Sequence, residues 1–216
     1  MLTFYYHPLA SFCWKPLIAL YECGADFERV VVDLGDEASR NAFYKLWPIG
    51  KMPVLQDAAS GAIVPESTVV IEYLAKTIPA AAGLIPVARD IDVRFKDRFY
   101  DNYLQLPMQA IVADRLRPAG AHDPHGVTAA RAQIKAALDW VETDMSGRTW
   151  ACGDDFTMAD CAAAPALYYA DKVAPFAETH LGAYGYLERL KARPSFARVL
   201  EEAEPFMGNF PTQNLN

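Results

Sequence analysis

Apolar residues recur along this chain in two periods, and the change from one to the other divides it. Leu2 to Tyr6 is an aromatic, strand-forming run ended by His7-Pro8. Leu17, Ile18, Leu20 and Tyr21 then follow at helical spacing after Ser11, and Gly24 stops them. Phe27 to Leu34 is a valine-rich strand, and Asp36 to Leu46 a polar helix with Phe43, Leu46 and Trp47 on one side. From Trp47 to Ser67 the pattern reads as a short hairpin, with Pro53 at the start of the apolar strand Val54-Leu55. A helix runs from Glu66 to about Ile78. The order β-α-β-α-β-β-α predicts a parallel first pair with a right-handed crossover, then an antiparallel addition: a small mixed sheet with helices on its faces.

Beyond Pro79 to Pro86 no strand pattern returns. Ile91, Phe95, Phe99 and Tyr103 recur every fourth residue, marking one face of a long helix that Pro107 should kink. After a loop from Pro118 to Gly126, Val127, Ile134, Leu138, Val141 and Met145 mark another helix. Thr157 to Asp160 forms a capping-box pattern ahead of the apolar Cys161 to Leu167, the expected central helix. Two short helices, Tyr186 to Ala192 and Ser195 to Ala203, flank Pro194, and an irregular tail runs from Glu204 to Asn216. The expected division is an α/β unit over 1–79, a linker over 80–89 and an all-helical unit over 90–216.

Composition narrows the function classes. The 216 residues are 52% hydrophobic and 22% charged, ordinary for a globular chain with a sizeable core. A net charge of −7 argues against nucleic acid or an anionic membrane surface as the main partner. No run approaches the roughly 18 apolar residues of a membrane span. The first residues lack a basic segment and a cleavage site, so no signal peptide is expected. Cys13, Cys23, Cys152 and Cys161 form no C-x-x-C pair and no zinc-spaced cluster, which fits a reduced, cytoplasmic setting without a metal.

The candidate chemistry lies in Trp47 to Ser67. Proline cannot donate to a strand ladder, so Pro53 leaves neighbouring backbone groups free, and a cis Met52-Pro53 bond would turn them toward a ligand. The helix opening at Glu66-Ser67-Thr68 offers unpaired N–H groups and a positive dipole end, a carboxylate-binding spot. Glu66 beside it can take an ammonium. Together they describe a receptor for an α-amino-acid head group.

Four motifs in order then resemble the cytosolic glutathione S-transferases: Pro48 to Leu55, Glu66 to Leu74, Phe156 to Asp160, and Tyr186 to Phe196. The resemblance covers essentially the whole chain and is to bacterial types with a serine or cysteine N-terminal segment, partly zeta-like. It implies a thioredoxin-like domain, an all-α bundle domain and a homodimer. It also implies residue roles. Pro53 would be the cis proline, and the Met52 backbone would pair with the cysteinyl part of glutathione. Glu66 and Ser67 would hold the γ-glutamyl head, and Lys51 would face the glycyl carboxylate.

Such an enzyme must hold the thiol, with a pKa near 8.5 when free, as a thiolate; a helix N-terminus and a hydroxyl donor both help. Here the chain departs from the zeta-like pattern, because the usual serine position is Ala10. Ser11 is the nearest hydroxyl and the first choice. Cys13 is the second, through a mixed disulfide or as a small buried hydrophobe, and Tyr6 the third. His7 looks base-like, but a poised thiol needs no general base. Leu9, Phe12, Tyr100, Tyr103 and Leu104 are candidates for the electrophile pocket, with Phe206 and Phe210 from the tail; Ile91, Phe95 and Phe99 are assigned to packing or a dimer contact. Asp160 reads as a cap contributing about 1 kcal/mol. The expected function is conjugation of glutathione to small hydrophobic electrophiles. Cys13-dependent thiol transfer or deglutathionylation is an alternative, as is a non-catalytic ligand carrier that the change to Ala10 would permit. A glutathione-dependent isomerase lacks an arginine pair near the site.

Overall fold

The computed structural model describes residues 1–212. Gln213 to Asn216, the end of the expected irregular tail, lie outside the described residues. Four strands, β1 (Leu2–Tyr6), β2 (Phe27–Val31), β3 (Val54–Asp57) and β4 (Ala62–Pro65), form one sheet in the order β2-β1-β3-β4. β1 pairs parallel with β2, and antiparallel with β3, which pairs antiparallel with β4. The crossovers are α1 (Ser11–Glu22) and α2 (Glu37–Leu46), and α3 (Ser67–Thr77) follows the hairpin. The second strand stops at Val31, short of the expected Leu34. From Asp33 the backbone turns into the loop ahead of α2, where Asp33 Oδ1 accepts from Gly35 N–H at 2.8 Å.

The helical half comprises α4 (Asp90–Phe99), α5 (Leu106–Arg115), α6 (Pro124–Asp144), α7 (Met158–Val173), α8 (Leu181–Ala192) and α9 (Pro194–Ala203). α4 and α5 are joined by a π-helical segment, Tyr100–Gln105. Leu106 N–H reaches back five residues to Asp101 C=O. Pro107, lacking an N–H and needing room for its ring, follows directly. The expected proline kink is therefore a local widening, and it changes the phase of the helix.

α7 is the buried axis. It carries Cys161 to Leu167 at or near zero exposure and packs on α1, α4 and the π segment. Its capping box is present at Thr157 and Asp160, but Asp160 does more than cap. Its carboxylate also accepts from Ala151 N–H at 2.7 Å and Tyr186 O–H at 2.6 Å, fastening the α6–α7 loop and α8 to the start of α7. The aromatic stripe of α4 packs on α6, with Phe99 centred 4.1 Å from Trp140.

α1 joins the halves. Trp14 is buried against Tyr169 of α7 and Phe196 of α9, and its Nε1–H donates to Pro8 C=O at 2.6 Å. Lys15 is fully buried: its Nζ lies 2.5 Å from Asp97 Oδ1 and 2.8 Å from Asp101 Oδ2, and donates to Thr68 Oγ1 at 2.7 Å. Arg98 completes this cluster through Asp97, Asp101 and Thr68. One cluster therefore ties α1, α3 and α4 together beneath the site.

Candidate active site

Two clefts meet over the first turn of α1. The first, of about 430 Å³, lies between the sheet half and α4–α5. Ala10, Ser11 and Phe12 form its floor, and Lys51, Met52 and Pro53 one wall. The Met52–Pro53 peptide is cis. Because the β1–β3 ladder ends at the Tyr5–Val54 pair, the Met52 backbone stands outside it. The chain reaches Lys51 through a turn at Gly50, which has φ +69°; a Cβ there would lie 2.0 Å from the Tyr44 ring, so only glycine fits.

Glu66 and Ser67 close the far end. Glu66 is the N-cap of α3 and the one non-glycine described residue with positive φ, at +72° with ψ 124°. Backbone held in so sparse a region clusters at active sites and ligand clamps. Val70 N–H is bonded to Glu66 C=O, leaving the earlier N–H groups of α3 at the cleft. Opposite, Arg98, Asp101 and Asn102 line the same cleft. The sequence reading missed Arg98 and Asp101. Their spacing from Asp97 looks like an ordinary charged helix face, and only their meeting with Lys15 and Thr68 distinguishes them.

The second cleft, of about 410 Å³, is walled by Leu9, Met108, Val112, Leu116, Tyr169 and Phe210. Tyr169 O–H donates to Leu9 C=O at 3.0 Å, so its polar end is already engaged, and its ring packs on Phe210. Ala10, Ser11 and Gln109 line both clefts.

Several expected residues fall elsewhere. Cys13 is fully buried, lines neither cleft, and burial pushes its thiol up to about 12. A sulfur one turn into α1 faces the core, so the attacking-cysteine role is corrected to a packing role. Tyr100 and Leu104 are also fully buried, and Tyr103, 52% exposed, lies against Phe99. At about 100° per residue, Tyr100, Tyr103 and Leu104 lie on the side of the helix away from Arg98 and Asn102, and Asn102, Leu106 and Gln109 line the clefts instead. Tyr6 lines neither cleft; burial raises its phenol above the ordinary range, and its nearest charged groups are Arg29 and Glu202. His7 is similarly engaged, its Nδ1 accepting from Leu9 N–H at 3.2 Å. Leu9, Phe12 and Phe210 do line the clefts, whereas Phe206 packs on the His7 ring.

The mixed four-stranded sheet with a cis proline entering β3, followed by a helical bundle, defines the class: a thioredoxin-like domain joined to an all-helical one. The comparisons name the family within it. The glutathione S-transferase N-terminal domain model matches residues 10–77 and the C-terminal domain model residues 124–202. Glutathione S-transferase 3 of Zea mays is 30% identical over 92% of this chain and 93% of its own. The glutathione S-transferase-like protein LUC7 of a Fusarium species is 32% identical, over 59% of this chain and 58% of its own. The crystal structure of a glutathione S-transferase from Rhodospirillum rubrum F11 superposes with a TM-score of 0.79 at 28% identity, over 93% of this chain and 92% of that one. This chain belongs to the glutathione S-transferase family. Among the described residues, no helix is long and apolar enough to cross a membrane, and no group of three or more His, Cys, Asp or Glu side chains could hold a metal ion.

Proposed function

We propose that the chain conjugates glutathione to uncharged hydrophobic electrophiles, with Ser11 stabilising the thiolate. The observation that carries this reading is that Ser11, the first residue of α1, borders both clefts. A sulfur held there faces a hydroxyl and the positive end of a helix, and both favour its charged form. The apolar cleft brings an electrophile to the same point, and the gain is positional.

The first cleft supplies a side chain or backbone group for each charged group of glutathione. Its charged side chains are Lys51, Glu66, Arg98 and Asp101. The γ-glutamyl carboxylate belongs at the N–H groups of α3 and Ser67, within reach of Arg98. The γ-glutamyl ammonium belongs with Glu66 and Asp101. The Met52 backbone pairs with the cysteinyl unit, and Lys51 faces the glycyl carboxylate. The reading extends to a homodimer through α3 and α4. Val69 of α3 and Ile91 and Phe95 of α4 are exposed apolar residues, and Arg94 to Glu72, at 2.9 Å, joins the two helices beside them.

The test is the thiolate absorbance of bound glutathione titrated against pH. The midpoint should lie below the free value of about 8.5. A hydrogen bond to a charged group is worth about 1.5–3 kcal/mol, and one pH unit is about 1.4 kcal/mol. Ser11→Ala should therefore raise the midpoint by about one to two pH units. Bound glutathione with no thiolate at neutral pH in the wild type would favour a carrier over an enzyme.

A further inference from the structure

Ala10, Ser11 and Gln109 are the residues common to the two clefts, so they surround the point where the reacting atoms meet. Ala10 has no polar side chain and Ser11 faces the sulfur. Gln109, exposed on α5, is therefore the remaining polar side chain at the junction, approaching from the helical side. The rest of the second cleft has little to offer a polar ligand. Among the described residues no charged side chain lines it, and the Tyr169 hydroxyl is committed to Leu9 C=O. Its other amide, Asn209, belongs to the tail wall and does not reach the first cleft.

We infer that Gln109 is the specificity-determining residue of the reaction: it donates a hydrogen bond to an oxygen conjugated with the reacting carbon, and so selects α,β-unsaturated aldehydes and ketones over alkyl halides. The inference rests on the thiolate being held at Ser11. A carboxamide suits this position because it is neutral. A carboxylate there would oppose the thiolate, and a cation would attract charged acceptors that the apolar walls cannot solvate.

The step is an addition. The thiolate attacks the β-carbon and the C–S bond forms. The π pair of the C=C bond shifts through the conjugated system and leaves the negative charge on the carbonyl oxygen. Gln109 Nε2–H donates to that oxygen, whose charge exists in the transition state and not in the free acceptor, so the bond acts on rate more than on binding. The enolate then takes a proton at the α-carbon from solvent, replacing the proton lost by the thiol. Nothing is oxidised or reduced. In halide displacement the charge leaves with chloride, and no acceptor oxygen exists for Gln109 to serve.

The experiment compares kcat/KM for cinnamaldehyde and for benzyl chloride in the wild type, Gln109→Leu and Asn209→Leu, with glutathione binding and the thiolate midpoint measured alongside. A lost donor at a developing oxyanion costs on the order of a hundredfold to a thousandfold in a well-formed oxyanion hole. The cinnamaldehyde to benzyl chloride ratio should fall at least about tenfold in Gln109→Leu, and stay within about threefold of wild type in Asn209→Leu. An unchanged ratio in Gln109→Leu, or an equal drop in Asn209→Leu, overturns the inference. Glutathione that binds and conjugates benzyl chloride but not cinnamaldehyde in the wild type overturns it alone; a wild type that does not bind glutathione overturns the functional reading beneath it.

Discussion

Replacing Lys15 by methionine removes one charge from a cluster whose formal charges cancel: Lys15 and Arg98 against Asp97 and Asp101. The volume is nearly kept, so little of the effect comes from a cavity. What remains is two buried carboxylates facing one arginine whose side chain is 49% exposed. Breaking a buried pair from one side costs about 3–5 kcal/mol, because the remaining charge loses its partner and stays desolvated. With a urea slope of about 2–3 kcal/mol/M, the unfolding midpoint should drop by more than about 1 M. The loss must also depend on pH. Burial already raises the Asp101 carboxyl above its ordinary value, with Lys15 the largest opposing influence and Asp97 adding to the rise. Without Lys15 it rises further. A carboxyl whose folded pKa exceeds its unfolded one holds more protons when folded, so stability falls as pH rises through the interval above about 4. Lys15→Met should therefore cost least near pH 4 and most near pH 7.5. The double variant Lys15→Met/Asp97→Leu should recover part of the loss, since one carboxylate then faces Arg98. A loss below about 1 kcal/mol at pH 7.5, or the same loss at both pH values, would refute this account of the cluster.

Glu66→Gly should act in opposite directions on stability and function. Relief of the positive φ should stabilise the fold by about 1 kcal/mol, while losing the carboxylate should weaken glutathione binding at least tenfold by calorimetry; unchanged affinity would remove Glu66 from the γ-glutamyl site. Folded protein incubated with oxidised glutathione should show no mixed disulfide at Cys13 by mass spectrometry, since the thiol is fully buried and pushed up to about 12. An adduct at neutral pH, without denaturant, would restore the thiol-transfer role. Phe95→Asp places a charge in the exposed face of α4, and light scattering should report half the mass of the wild-type particle; an unchanged mass would place the dimer contact elsewhere.

The alternation and helical spacing of the chain carry most of the architecture. Both parts of the fold class, the mixed four-stranded sheet and the helical bundle after it, follow from where apolar residues stop alternating and start recurring every third or fourth position. The cis Met52–Pro53 bond and the opening of α3 after Glu66 were similarly legible, because a proline at a strand start and an acid at a helix start carry local meanings. The apolar cleft was legible only in part. Leu9 and Phe210 line it and Phe12 lines the first cleft. Tyr100 and Leu104 are buried and Tyr103 lies against Phe99, because an aromatic run in a long helix does not say which face meets the bundle and which the cleft.

Short-range pattern, then, determines the elements and their local punctuation: the proline entering β3 and the starts of α1 and α3. Relations between distant segments were decided by the tertiary structure. Lys15 reads as a helix lysine until Asp97 of α4 and Asp101 of the π segment are brought to it, and Cys13 stays open between a thiol role and a packing role until α1 packs on α7 and turns it inward. Gln109 is one polar residue among many until the bundle sets it, with Ser11, on the lining of both clefts. Burial and charge pairing depend on what lies across the interface, and no window of sequence contains both sides.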